Sequence, residues 1–261
     1  MKRTLIDVKN MLFPTPFWHF LQNARVYDSS CSPEARVYYI EKDGGYYLKA
    51  APKGTLAREA EMTRYFHSKG LGAQVLDYLS EGQDWLLTAR VAGEDCTNAD
   101  YLAEPRRLCD LLAHLLRELH ETDHVGCPVP DRMTEYFGTA EKNYHEGVFD
   151  ASYLPEHLRS LTADEAYRLV DENRYRFKSD TLLHGDYCLP NIMLDGWRFS
   201  GFIDVDHSGV GDRHIDLYWG VWTLAFNLKT PRYGARFLDA YGRDAVEPEL
   251  LDVVAAAETF G

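Results

Sequence analysis

The chain has 261 residues, 45% of them hydrophobic, 26% charged and 13% aromatic, with a net charge of −13. That balance excludes a mainly disordered or fibrous chain, and the acidity argues against a broad nucleic-acid surface or an anionic membrane partner. No apolar run approaches the ~20 residues that cross a bilayer, and Asp7 breaks the amino-terminal stretch where a secretory signal would lie, which gives the expectation of a cytoplasmic chain.

The charge is uneven: residues 1–92 carry 12 basic and 10 acidic side chains, and the remainder carries 16 and 31. Two lobes with different clients are expected, the acidic one steering cations, with plain solubility charge as the alternative. The five cysteines (Cys31, Cys96, Cys109, Cys127, Cys188) are scattered with no CxxC pair, and read as reduced thiols rather than zinc ligands or disulfides.

Along the chain, residues 35–40 and 46–49 are β-branched or aromatic runs flanking Glu41-Lys42-Asp43-Gly44-Gly45, and predict an antiparallel hairpin. A helix follows, with Thr55 as N-cap, Leu56, Glu59, Ala60, Thr63 and Phe66 at helical spacing, and Gly70 and Gly72 at the exit. Strand-like runs at 73–79 and 85–91 enclose a Glu-Gly-Gln-Asp turn. Roughly four strands and one helix thus make a small lobe ending near Val91.

Beyond Gly93 the pattern turns helical. Pro105 suits a first helical position, and Leu108, Leu111, Leu112, Leu115, Leu116 and Leu119 form a wide apolar stripe. His120 and His124 read as solvated side chains rather than metal ligands. Residues 125–180, broken by Pro128, Pro130 and Pro155, read as helices and loops, and 218–228 and 249–260 as helices.

The segment Leu182-Leu183-His184-Gly185-Asp186-Tyr187-Cys188-Leu189-Pro190-Asn191-Ile192-Met193-Leu194 places polar residues among apolar ones. A turn at Asp195-Gly196 leads to Phe199-Ser200-Gly201-Phe202-Ile203-Asp204. Two short strands in a hairpin would bring Asn191 and Asp204 together, with Asp186 one loop away. Oxygen ligands of this kind suit Mg²⁺, which takes one or two carboxylate-type ligands and fills the rest with phosphate and water. The alternative is a set of turn-forming Asp and Asn residues.

The block HGDYCLPNIML followed by GFIDVD resembles the aminoglycoside phosphotransferases, above all the 3′-phosphotransferase branch. The resemblance implies an α+β, bilobal, protein-kinase-like fold: a small antiparallel-sheet N-lobe with one helix over residues 1–92, and a larger, mainly helical C-lobe over 93–261. It implies ATP (or GTP) and Mg²⁺ as cofactors and Asp186 as the catalytic residue facing the acceptor hydroxyl, with Asn191 and Asp204 on the metal. Lys49 is similar to the lysine that holds the phosphates and Glu59 to its ion-pair partner; Glu61 would lie about 200° away around the helix. Residues 29–38 resemble the phosphate-covering loop without a GxGxxG, with backbone near Ser32 holding phosphate. Tyr47 matches the adenine-stacking position, with a plain hairpin aromatic as the alternative, and Thr88 to Val91, Ala89 and Val91 foremost, resembles the base-binding linker. Asp212, Arg213 and Asp216 match a segment that braces the catalytic loop.

The acceptor side departs from the family pattern. Val205-Asp206-His207 stands where these enzymes usually have a small residue and Gly-Arg, and Phe226 and Asn227 fall where an acidic pair is usual. The chain ends in Glu258-Thr259-Phe260-Gly261, keeping one acid of the usual end. Asp206, His207 and Glu258 are therefore the candidate acceptor residues, for a small cationic substrate, foremost an aminoglycoside. Trp219, Trp222 and Phe226 are either helix core or an aromatic lining for a quaternary ammonium. A kinase for choline, an amino alcohol or a sugar, and a nucleotide-binding pseudokinase, are the other readings.

Overall fold

Alternating side chains organise the first third of the chain. In the computed structural model, which describes residues 3–8, 11–31 and 33–261, the strands β1 (Thr4–Ile6), β2 (Arg25–Asp28), β3 (Arg36–Glu41), β4 (Tyr46–Pro52), β5 (Val75–Glu81) and β6 (Gln83–Ala89) form one antiparallel sheet. Its order is β1-β2-β3-β4-β6-β5. Tyr46, Leu48 and Ala50 of β4 enter an apolar core with Phe13, Phe17, Leu21, Val26, Ile40, Trp85 and Leu87. The period of two sends Tyr47 and Lys49 to the other face. The predicted 35–49 hairpin is present. The sheet has two strands more than expected, β1 and β2, and a one-turn helix α1 (Trp18–Leu21) lies between them in the chain.

The helix on the opposite face, α2 (Ala57–Ser68), starts on a cap that the sequence does not suggest. The Thr55 hydroxyl donates to the Pro52 carbonyl at 2.7 Å and caps nothing. Instead the buried Asp84 carboxylate accepts the Leu56 N–H at 2.9 Å, the Tyr78 hydroxyl at 3.0 Å and the Ser80 hydroxyl at 2.6 Å. One side chain of β6 therefore ties down the helix that carries Glu59.

The short strand β7 (Glu94–Asp95) closes this part of the chain. The next stretch is helical: α3 (Ala99–Leu102), α4 (Pro105–His120), α5 (Arg132–His145) and α6 (Ala163–Asn173), then β8 (Thr181–Leu183). The leucine stripe of α4 is buried as expected, Leu111 partly so. His120 is not solvated. It is buried, with Nδ1 2.8 Å from the Tyr241 hydroxyl and Nε2 3.2 Å from Asp216, because it continues the apolar stripe one turn past Leu116.

β9 (Ile192–Asp195) and β10 (Arg198–Phe202) form the expected hairpin, and β9 also pairs with β7. The chain then runs through β11 (Gly209–Gly211), paired with β8, into α7 (His214–Leu228), α8 (Gly234–Tyr241) and α9 (Pro248–Glu258). It divides into two compact units, Met1–Asp95 with Ile192–Asp206, and Cys96–Asn191 with His207–Gly261. The hairpin 192–206, grouped by sequence order with the C-terminal lobe, thus packs in the first unit: Phe202 N–H donates to Leu71 O at 2.7 Å and Gly72 bridges to Phe202. Among the described residues no helix is long and apolar enough to cross a membrane.

The Asp84 network predicts a stability effect. Asp84→Ala removes a helix cap and leaves two partly buried hydroxyls without this acceptor, an expected loss of about 1–3 kcal/mol measured by urea unfolding. Its hydrogen bonds hold the Asp84 carboxyl down at about 2 against the pull of burial. A depressed pKa contributes stability at neutral pH that is lost as pH falls from the ordinary aspartate range through about 2. The variant should lack that part of the acid destabilisation; an unchanged acid limb would overturn the assignment.

Candidate active site

Lys49 stands at the centre of the first unit's chemistry. Its Nζ lies 2.7 Å from Glu59 Oε2 and 2.9 Å from Asp204 Oδ1. Three elements supply the three groups: β4, the first turns of α2, and the residues just after β10. Glu59 is buried, and Glu61 is exposed, as the helical spacing requires. Burial opposes the Lys49 charge, but the two carboxylates more than offset it and hold the ammonium well above the ordinary lysine range. Burial is the main cause pushing Glu59 up to about 7, with Asp204 and Asp206 adding to it and Lys49 opposing. Asp204 takes a left-handed backbone, φ 60°, rare for a residue with a side chain.

These groups line a cavity of about 240 Å³ within the first unit. Tyr47, Ala89 and Val91 line it as well. Tyr47 packs with Tyr39 at 5.2 Å between ring centroids, and its hydroxyl accepts from Arg3 Nη2 at 2.8 Å. It is therefore both a hairpin aromatic and a cavity wall. The Ala89 N–H is spent on Gln74 O at 2.9 Å and the Arg90 N–H on Gly45 O at 3.0 Å. Ser32 lies outside the described residues; Ser29 and Cys31 beside it line the cavity.

In the second unit, Asp186 sits in a loop held from several sides. Asn191 Nδ2 donates to Asp186 Oδ2 at 2.7 Å and to its backbone carbonyl at 3.0 Å. The fully buried Asp216 carboxylate accepts the N–H of His184 at 2.7 Å and of Gly185 at 2.8 Å. Burial lowers the His120 pKa, so the ring is neutral: Nε2–H donates to Asp216 and Nδ1 accepts from Tyr241. Gly185 has φ 84°, and a Cβ there would lie 2.0 Å from His207 O. The loop admits only glycine at that point.

The candidate acceptor residues are divided between the two units. Asp206 belongs to the first unit, where its charge acts on Glu59, and His207 is exposed, with its carbonyl accepting from Arg132 Nε at 3.0 Å. Glu258 is half-buried, accepts from the Tyr136 hydroxyl at 2.8 Å and is hydrogen-bonded by Trp219. Burial, with the Asp186 charge adding, pushes its carboxyl up to about 7, against the hydrogen bonds. Tyr136 and Arg132 were not among the sequence candidates; they lie more than a hundred residues from Glu258, and no local pattern marks them. Trp222 stacks on Phe226 at 4.9 Å, and Lys229 Nζ lies 4.2 Å from the same ring. Trp222 also packs with Trp219 at 5.3 Å and with Tyr153 at 6.3 Å between centroids, so these aromatic side chains contact one another as well.

Comparison with known proteins follows this geometry. Residues 33–252 match the model of the phosphotransferase enzyme family. The chain is 48% identical over 262 residues to a probable aminoglycoside 3′-phosphotransferase of Lactococcus lactis, covering 100% of this chain and 99% of that one. It is 30% identical to an aminoglycoside 3′-phosphotransferase of Niallia circulans, over 82% and 83% of the two chains. The crystal structure of an aminoglycoside-3′-phosphotransferase of type VIII superposes with a TM-score of 0.73 at 27% identity, covering 89% of this chain and 92% of that one. The fold is the α+β, kinase-like one, and the chain belongs to the phosphotransferase enzyme family, in its aminoglycoside 3′-phosphotransferase branch.

Proposed function

We propose that the chain transfers the terminal phosphoryl group of ATP to the 3′-hydroxyl of an aminoglycoside in the cytoplasm. The observation that carries the reading is Lys49, held between Glu59 and Asp204 on the wall of a cavity whose other lining residues include Tyr47, Ala89 and Val91. Relatives named aminoglycoside 3′-phosphotransferase support the acceptor and its position. A neighbour of the same fold, 24% identical, is described in complex with ADP and streptomycin, which supports a nucleotide donor. The first unit is then the nucleotide-binding lobe, and the second the catalytic and acceptor lobe.

In this reading Lys49 anchors the phosphates, and backbone near Ser32 covers them. Tyr47 packs on the base, whose edge meets the backbone at Ala89 and Val91; with the Ala89 and Arg90 N–H groups already spent, the Val91 N–H is the donor at hand. Asn191 uses its amide nitrogen on Asp186, leaving Oδ1, and Asp204 adds a carboxylate: both are the oxygen donors Mg²⁺ takes. Lys49, Glu59 and Asp204 together carry one excess negative charge when ionised, which also suits a divalent cation. Bound by these donors, Mg²⁺ would supply positive charge against the phosphates.

Asp186 orients the acceptor hydroxyl. The hydroxyl oxygen bonds to the γ-phosphorus as the bond to the β–γ bridging oxygen breaks; the proton passes to Asp186 and ADP leaves. Glu258 meets an ammonium group of the acceptor, with Asp206 and His207 as the further candidate acceptor residues. Intact Lys49, Asp186, Asn191 and Asp204 weigh against a pseudokinase, and the already occupied Phe226 ring weighs against a quaternary-ammonium kinase.

Two measurements test this. Asp186→Asn should lower kcat for kanamycin phosphorylation by about 10³-fold, with ADP affinity from calorimetry within about twofold; a well-folded variant with normal turnover would refute the role. The second concerns Glu258. Its raised pKa means the folded protein holds the proton, so its stability contribution is fully present below the ordinary glutamate range and is lost as pH rises through about 7. Ionisation over that same window creates the charge an ammonium needs. The wild-type KM for kanamycin, divided by that of Glu258→Gln, should fall about fivefold or more from about pH 6 to about pH 8. A flat ratio would remove Glu258 from the acceptor site.

A further inference from the structure

The tyrosine that walls the cavity of the first unit belongs to a row. Strand register sets Leu5 opposite Tyr27, Tyr27 opposite Tyr39, and Tyr39 opposite Tyr47. Residues directly opposite in a ladder share a face, so three tyrosines lie side by side on the face that also carries Lys49. Ring centroids are 6.0 Å apart for Tyr27 and Tyr39, and 5.2 Å apart for Tyr39 and Tyr47. At the far end of the row the Tyr27 hydroxyl donates to Glu41 Oε2 at 3.1 Å. In the middle, Tyr39 is buried against Gly45, where a Cβ would lie 3.0 Å from both the ring and its hydroxyl.

Arg3, the residue before β1, lies across this row. The period of two puts it on the same face as Leu5. Its guanidinium carbon is 3.7 Å from the Tyr39 ring centroid and 6.0 Å from that of Tyr47, and Nη2 donates to the Tyr47 hydroxyl at 2.8 Å. β2 and β3 separate β1 from β4, a distance of roughly 14 Å at three strand spacings. An arginine and a tyrosine cover that distance only by leaning toward each other, and they meet above Tyr39. Burial pushes the Tyr47 phenol above its ordinary range, with the Arg3 charge opposing.

An exposed cation held in one place contributes little to stability. This one fixes the direction of a side chain that lines the cavity holding Lys49 and Glu59. A tyrosine free to rotate loses that freedom when a ligand packs on it, and a ring already held loses less.

We propose that Arg3 is a positioning residue of the nucleotide site: reaching over Tyr39, it holds the Tyr47 ring in the orientation that packs on the base, so that the residue leading into the first strand raises nucleotide affinity without touching the nucleotide. The proposal rests on the nucleotide reading above. Tyr39 acts as the support on which the guanidinium rests, and the Tyr47 hydroxyl as the point at which it takes hold.

The test is calorimetric titration of the full chain with ADP, comparing the wild type with Arg3→Ala, Arg3→Lys, Tyr47→Phe and the double variant of Arg3→Ala with Tyr47→Phe. Arg3→Ala is expected to weaken ADP binding by about threefold or more. Arg3→Lys keeps a cation over Tyr39 and a donor for the hydroxyl, and should return affinity to within about 1.5-fold of the wild type. Tyr47→Phe keeps the ring and removes the acceptor, so its loss should match that of Arg3→Ala. In the double variant the losses should not multiply, leaving ADP affinity within about 1.5-fold of Tyr47→Phe alone. ADP affinity unmoved by Arg3→Ala overturns the proposal while the nucleotide reading stands. A loss that Arg3→Lys fails to restore does the same, as do losses that multiply in the double variant, because Arg3 then acts by a route other than the Tyr47 hydroxyl. Failure of the wild type to bind ADP overturns the nucleotide reading and the role of Arg3 with it.

Discussion

The placement of one ammonium group governs the first unit. Lys49 is bound at once to a helix residue, Glu59, and to Asp204 at the end of the β9–β10 hairpin, so the sheet, the helix and the hairpin share a single charged joint. Stability alone does not call for such a joint, because well-packed apolar side chains hold elements together as well as a buried ion pair does. Two details point past stability. The three groups leave an excess of negative charge, with Asp206 close enough to add to it. Asp204, moreover, is held in the left-handed region, a cost that persists only where surrounding structure enforces it. Charge excess and backbone strain meet on the residue that the metal reading needs.

The second unit is organised by a buried carboxylate of the opposite kind, one that binds nothing outside the fold. Asp216 accepts two backbone N–H groups of the Asp186 loop and the N–H of a neutral imidazole, three donors that meet its charge. The loop bends back at Gly185, against His207, and Asn191 ties the Asp186 side chain down from the other side. Asp186 is thereby oriented before any ligand arrives, the preorganisation that positioning chemistry requires. His120 serves here as a neutral wedge between Asp216 and Tyr241. Its burial explains why reading it as a solvated residue fails: the α4 stripe runs on from Leu116 one turn to His120, and a histidine can continue such a stripe only if both ring nitrogens find partners.

Local patterns made much of this legible. The hairpin of β3 and β4 follows from its turn chemistry, α4 from its leucines, and Glu59 over Glu61 from the helix period alone. The loop around Asp186 was readable because its residues lie within a dozen positions of one another. What stayed hidden depends on partners far apart in the chain. Asp84 caps α2 from a strand nearly thirty residues on, and nothing near Thr55 shows that its hydroxyl turns away. β1 and β2 are short, and β1 becomes a strand only because β2 offers it an edge. In the stretch 125–180 a signal did exist: Thr162 and Glu165 form a capping box at the start of α6, which the prolines around it obscured.

The same physics explains why a motif names candidates for the donor side residue by residue and leaves the acceptor side open. Phosphates and a divalent cation admit few partners: a lysine, a carboxylate, an amide oxygen, each at a fixed place in a motif. An acceptor bearing several ammonium groups can be met by carboxylates arranged in many ways, so single positions are free to change while the total charge is kept. Here the positions at Phe226 and Asn227 carry no acid, yet the stretch from residue 93 onward still holds 31 acidic side chains against 16 basic ones. Phe226 has become part of a stack with Trp222 and Lys229, which removes it from electrostatic recognition altogether. Glu258 is left as the acid whose surroundings are most specific, shut in by Tyr136 and Trp219 and within electrostatic reach of Asp186. Enclosure raises the cost of ionising it, and in the proposed reading an arriving ammonium offsets that cost; a carboxylate so placed would discriminate between charged and neutral acceptors more sharply than an exposed one.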